Sequence, residues 1–242
     1  NYVRAVLLHT NRLTGKRYTD DPAIMAWEVA NEPRPMRAAA SEVYRVFLQQ
    51  TTALIKSIDK HHLVTLGTEG VMGTESAELY ETIHRDKNVD YCTIHIWPKN
   101  WSWFKDAAIG DSIDAIIKKG NDYIGQHVAI AAAIGKPLVI EEFGLPRDHQ
   151  SFDISSATSL RDKWFGEVLA RWQESVQRNG VLAGVSFWSF GGEVRPVANQ
   201  VFWKEGDALM GDPPMEEQGL NSVFEGDSST WTLIDSFIKK TK

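Results

Sequence analysis

Two glutamates stand at the ends of short apolar runs rich in β-formers. Glu32 closes the run Ile24-Met25-Ala26-Trp27-Glu28-Val29-Ala30-Asn31 and is followed by Pro33. Glu142 closes Pro137-Leu138-Val139-Ile140-Glu141 and is followed by Phe143-Gly144. A carboxylate just past a buried strand stands at the rim of a sheet, where α/β barrels place their chemistry. Two such carboxylates can share the work of cleaving an acetal: one protonates the leaving oxygen, the other attacks carbon. A lone glutamate at a strand end more often closes a local ion pair. Two matched motifs in order, with aromatic-rich segments after the neighbouring strands, favour chemistry instead.

The elements that must position these acids follow from periodicity. Helical stripes are expected over 1–15, 38–59, 77–85, 111–134, 156–178 and 230–240. Gly135-Lys136-Pro137 and Asn179-Gly180 are stops for two of them. Near-continuous apolar runs predict strands over 24–31, 62–67, 91–97, 138–143 and 182–190, as in buried parallel sheets. A Gly/Pro-rich loop fills 191–222. Strands alternating with long helices mean βαβ units and a parallel sheet. No internal repeat, low-complexity segment or second domain is visible, so residues 1–242 read as one domain.

Composition narrows the function classes. The chain has 242 residues, 43% hydrophobic and 24% charged, enough for one large core. A net charge of −6 argues against nucleic-acid or anionic-membrane partners. No apolar run is long enough to span a bilayer. The single cysteine, Cys92, excludes an intrachain disulfide and reads as a buried packing thiol. With no zinc-thiolate set and no HExxH spacing, no metal or cofactor is implied. Nine tryptophans are many for this length. Their flat apolar faces suit the C–H faces of sugar rings.

The stretch from Asp21 to Arg34, with Asn31-Glu32-Pro33 at its heart, looks like the fourth-strand motif of glycoside hydrolase family 5. Asn-Glu-Pro is a signature of the wider clan A of TIM-barrel glycosidases. The runs Thr93-Ile94-His95-Ile96-Trp97-Pro98, Val139 to Gly144, and Ser186-Phe187-Trp188-Ser189-Phe190-Gly191-Gly192-Glu193 resemble the sixth, seventh and eighth strand motifs. Within the family the chain most resembles endo-β-1,4-mannanases. The implied fold is a TIM (β/α)8 barrel, of which about five βα units are present here. An N-terminal remainder carrying the first three strands is expected, because five strands cannot close a barrel. Asn1-Tyr2-Val3-Arg4 shows neither an initiating Met nor an apolar leader, so the chain is expected to begin inside a longer product. The resemblance implies a secreted, periplasmic or cell-surface enzyme with mannan as its polysaccharide partner.

The resemblance also implies roles. Glu32 is the acid/base and must hold a proton for the leaving oxygen. Glu142 is the nucleophile of a retaining mechanism, with Glu141 pointing the other way along the strand. Asn31 bonds the 2-hydroxyl of the sugar in the −1 subsite, and His95 hydrogen-bonds within the active site. Trp97 stands where the family usually carries a tyrosine that donates to the nucleophile, so that donor is left open. Trp188 is the stacking platform for the −1 sugar. Glu69 touches sugar or orients another acid. Trp101, Trp103 and Trp203 are loop aromatics suited to further subsites, and Arg195 is placed to bond hydroxyls. Glu28 reads as a buried structural acid. The alternatives are another family 5 β-glycosidase, an endoglucanase or exo-mannosidase, and a non-catalytic carbohydrate-binding barrel.

Overall fold

A computed structural model describes residues 1–105 and 109–241. The chain divides into two compact units, Asn1–His95 with His127–Val139, and Ile96–Gln126 with Ile140–Lys242. The principal elements, in order, are α1 (Tyr2–Leu7), β1 (Ala26–Glu28), α2 (Ser41–Ile58), β2 (Leu63–Thr65), α3 (Val71–Thr74), α4 (Ala77–His84), β3 (Cys92–Ile96), α5 (Ile109–Ile134), β4 (Leu138–Phe143), α6 (Ser159–Gln177), β5 (Leu182–Val185), β6 (Phe190–Gly192), β7 (Val223–Phe224) and α7 (Ser228–Thr241).

In the first unit β1 and β2 run parallel, with Trp27 opposite Val64 and Glu28 opposite Thr65. Leu7, Ile55 and Val64 pack together on one side, joined by Val3, Trp27 and Ile58. Tyr44, Leu48, Leu66, Ile83 and Val89 form a second cluster. α2 thus gives Tyr44 and Leu48 to one cluster and Ile55 and Ile58 to the other, while its Val43 and Phe47 are exposed. α4 is capped by Ser76, whose hydroxyl accepts from Leu79 N–H at 3.2 Å. β3 is wholly buried, and its Cys92 N–H donates to Pro137 O at 2.8 Å. Burial pushes the Cys92 thiol up to about 12, so it is an inert packing group.

In the second unit β4 continues beside β5: Ser186 N–H donates to Ile140 O at 2.8 Å and Trp188 N–H to Phe143 O at 3.0 Å. Phe143, Phe165, Phe187 and Trp231 stack in a chain with centroids 4.8, 5.9 and 5.8 Å apart. No sheet among the described residues has more than three strands.

Several boundaries differ from the sequence expectation. The first helix ends at Leu7, not at 15. Asn11 Oδ1 accepts from Leu13 N–H at 2.9 Å, making a side-chain turn that competes with the helix. Leu13 consequently lies 97% exposed. The fifth predicted strand breaks into β5 and the separate β6, which pairs with β7. The short helix α3 has no counterpart in the expectation. Glu28 is exposed, not buried: among the described residues β1 has a strand neighbour on one side only.

A buried ionic knot ties β1 to the entry of β2. Asp59 Oδ2 accepts from Trp27 Nε1–H at 2.7 Å and lies 2.6 Å from His62 Nδ1. His62 Nε2 lies 3.0 Å from Asp21 O. Both ring nitrogens face acceptors, an arrangement that favours the doubly protonated ring. Burial alone would raise the Asp59 carboxyl, but the bonds from Trp27, His62 and His61 outweigh it and bring it down to about 2. Burial opposes the charge on His62 too, yet Asp59 and Asp21 raise it overall. A depressed carboxyl stabilises the fold above its unfolded value and loses that stabilisation as pH falls through the folded value. We expect an unfolding free energy lower by about 2 kcal/mol at pH 2 than at pH 5 from this group. The raised histidine acts oppositely, losing its contribution as pH rises through its folded value. Denaturant melts of wild type and Asp59→Asn across pH check both. An acid limb that persists unchanged in Asp59→Asn would contradict the assignment.

Candidate active site

Glu32 lies just past β1. The chain there still follows β2: Val29 N–H donates to Thr65 O at 3.1 Å and Glu32 N–H to Gly67 O at 2.8 Å. Gly67 has φ +76, and a Cβ there would sit 2.2 Å from Ala30 O. Only glycine allows this approach. Glu32 itself has φ +47, a conformation that costs a β-carbon residue energy and persists where the surroundings impose it. Those surroundings are the Gly67 carbonyl, the Pro33 ring and the tie from Tyr44 Oη–H to Pro33 O at 2.8 Å. The Glu32 side chain remains one-quarter exposed, and its Oε1 lies 2.9 Å from Nδ1 of the buried His95. The acid is thus held against an imidazole while keeping an open side.

Glu69 ends the segment after β2 and is buried. Its two oxygens accept from Arg34 Nε–H at 2.5 Å and Nη2–H at 2.7 Å. This bidentate pair fixes both side chains. Partial burial works against the Arg34 charge, but Glu69, with Glu32 beyond it, raises the guanidinium's pKa overall. Burial, helped by the Glu69 charge, pushes the Tyr44 hydroxyl up as well. Glu69 O also accepts from His95 N–H at 3.1 Å. Arg34 received no role from the sequence. Its signal was a cation placed two residues after Glu32. Asn31 is exposed at the turn before Glu32.

In the second unit Glu142 is the penultimate residue of β4. Its Oε2 accepts from Trp97 Nε1–H at 3.1 Å. The donor left open by the missing tyrosine is therefore an indole, which can donate but carries no acidic proton. Gly144 makes room for it: a Cβ there would lie 2.7 Å from Trp97 Cζ3. Trp188 is half-buried beyond β5, and its Nε1–H donates to Asp212 Oδ1 at 3.2 Å.

The loop residues divide. Trp101 packs edge-on to Trp103 at 5.3 Å and against Tyr123 at 5.1 Å. Trp203 Nε1–H donates to Asp207 O at 3.0 Å in its own loop. Arg195 is exposed, bonds Gly192 O and Val194 O, and lies over the Phe224 ring at 5.2 Å. It also lines a groove of about 670 Å³ with Phe152, Ile154, Val197 and Gln200. Asp212 is the second residue without a forecast role. In the sequence it stands in the run Gly211-Asp212-Pro213-Pro214.

The profile of the family described as "GH family 5 beta-mannosidase-like" matches residues 1–242. The chain belongs to this family. It is 34% identical over 202 residues to mannan endo-1,4-beta-mannosidase 4 of Oryza sativa, a match covering 78% of this chain and 42% of that protein. It is 30% identical over 203 residues to mannan endo-1,4-beta-mannosidase 1 of Arabidopsis thaliana, covering 78% and 47%. Among solved structures, the Rhizomucor miehei glycoside hydrolase family 5 mannosidase in complex with mannosyl-fructose superposes with TM-score 0.86 at 27% identity, over 99% of this chain and 57% of that one. An endo-1,4-beta-mannanase from the same organism superposes at 0.63 with 25% identity, over 99% and 59%. The family 5 chain thus spans about half the length of these relatives, and its fold is a portion of a TIM barrel. None of its helices among the described residues is long and apolar enough to cross a membrane.

Proposed function

We propose that this chain, as one domain, supplies the two catalytic carboxylates of a retaining glycoside hydrolase acting on β-1,4-mannosidic linkages. Further βα units complete the barrel around them. Support comes from the partnered carboxylates: Glu32 against His95 at 2.9 Å, and Glu142 under the Trp97 N–H at 3.1 Å. The mannan endo-1,4-beta-mannosidases among its relatives point to the polymer. A substrate of that size favours action outside the cytoplasm.

The chemistry would run in two halves. Protonated Glu32 gives its proton to the glycosidic oxygen as Glu142 attacks the anomeric carbon. The C–O bond to the leaving sugar breaks, and a glycosyl ester forms on Glu142. Glu32, now ionised, takes a proton from water, which displaces Glu142 with overall retention. His95 holds the Glu32 carboxyl in place through both halves. Trp97 offers a hydrogen bond to Glu142, and Trp188 carries the −1 sugar ring. Asn31, Glu69 and the loop aromatics Trp101 and Trp203 complete the sugar contacts, with Arg195 on the outer rim.

A second reading is action on short β-mannosides. It is favoured by the better superposition on the R. miehei mannosidase, 0.86 against 0.63 for the endo-mannanase. Product profiles on mannan and on manno-oligosaccharides separate the two. NMR of the first-formed product tests retention: an initial α-anomer would overturn the mechanism. In the complete barrel, Glu32→Ala should lower turnover on mannan about 10²–10⁴-fold. On aryl mannosides with good leaving groups, the glycosylation step should fall far less. Equal losses on both substrates at that step would remove Glu32 from the acid role.

A further inference from the structure

Asp212 sits in the long loop between β6 and β7, 24 residues from Trp188 in sequence, and is 7% exposed. Donors meet both oxygens of its carboxylate. Oδ1 accepts from Trp188 Nε1–H at 3.2 Å, and Oδ2 from Gly219 N–H at 2.7 Å and Ser222 Oγ–H at 3.2 Å. The surrounding loop is fastened too. Gln218 Nε2 donates to Pro213 O at 2.7 Å and to Glu216 O at 3.1 Å. Ser222 Oγ lies 3.0 Å from Ser189 Oγ, on the residue next to Trp188. A buried carboxylate with no cation among these contacts is costly unless its bonds are worth keeping. Its position at the indole edge leaves the ring faces to other contacts.

We propose that Asp212 is a positioning residue that fixes the plane of the Trp188 indole, and with it the surface on which the sugar stacks. This rests on the reading of Trp188 as the sugar platform. A ring held only by its Cβ can swing about χ2, whereas a ring tethered at Nε1 cannot. Stacking on a sugar face depends on that plane. The charge at Asp212 matters as well as its shape. In Asp212→Asn the amide oxygen keeps the shorter bond to Gly219, which leaves the NH2 group facing the Trp188 N–H, donor against donor.

The test combines a spectroscopic signature with a double-mutant cycle. In 15N-labelled protein, Trp188→Phe identifies the Trp188 indole signal. Asp212→Asn should move that signal upfield and leave the indole signals of this chain's other eight tryptophans in place. In the complete barrel, Asp212→Asn should raise the Kd for mannobiose about tenfold in the wild-type background, and by less than twofold in the Trp188→Phe background. Trp188→Phe alone, which keeps a ring but loses the tether, should also weaken binding several-fold. That variant keeps the test alive if Asp212→Asn folds poorly. Equal losses from Asp212→Asn in both backgrounds, an unmoved indole signal, or unchanged binding in Trp188→Phe would overturn the proposal. Failure of the underlying reading looks different: Trp188→Ala would then bind mannobiose as wild type does. A shifted indole signal in that case would leave Asp212 a structural tie only, which also overturns the proposal.

Discussion

Glu142→Ala in the complete barrel is expected to lower kcat/KM on mannan by about 10⁴-fold or more, with the melting temperature within a few degrees of wild type. In the proposed mechanism Glu142 makes the new bond, so no other group replaces it at neutral pH. Removing a side chain from this half-buried strand end costs little packing. Added azide or formate should restore part of the activity, because a small anion can enter the vacated space and attack the same carbon. Its glycosyl azide would have inverted configuration, and that product is the decisive readout. Glu141→Ala is the control, since its side chain alternates to the other side of β4. If Glu141→Ala loses turnover and Glu142→Ala keeps it, the assignment of the two acids is reversed.

The strand ends that carry the candidate site were legible in the sequence. β4 has the forecast bounds, 138–143, since a run of Leu, Val, Ile and Phe has no competing conformation. The stop of α5 at Gly135-Lys136-Pro137 was equally clear: Gly135 takes φ +71, and Lys136 N–H bonds back to Ala131 O at 3.0 Å. The contact of Trp97 with Glu142 was not legible. It depends on how far a ring reaches over Gly144, which is a matter of packing and not of periodicity. Arg34 and Glu69 are 35 positions apart, and nothing in local spacing pairs them. The exposure of Glu28 was missed for a related reason. Strand alternation tells which residues share a face, but not which strand, if any, lies beside it.

Asp227→Ala is expected to cost about 3–5 kcal/mol of stability, against the 5–15 kcal/mol that holds a typical domain together. Asp227 is the carboxylate between two buried arginines: it pairs with Arg147 through Oδ1 and with Arg161 through Oδ2, the latter at 3.1 Å. It also accepts from Phe224 N–H at 3.0 Å, just before α7 begins. Arg147 and Arg161 are 2% and 0% exposed, and burial drags the Arg161 guanidinium down to about 10. Without Asp227 two guanidiniums would share this interior with no carboxylate bonded to them, and both would seek water. The consequence reaches the proposed catalytic end of β4. Arg161 Nε–H donates to Leu145 O at 3.0 Å, three residues past Glu142, and Arg147 Nη1–H donates to Ser156 O at 2.9 Å across the following loop. Loosening the arginines therefore loosens the backbone that aims the proposed nucleophile, Glu142. We expect lost stability and lowered turnover together, with kcat falling more than KM rises. Because the pair is buried, added salt should change the stability difference little. Denaturant melts at low and high salt measure it. A loss below about 1 kcal/mol, or one that vanishes in high salt, would mean the triad is a solvated surface pair of little worth.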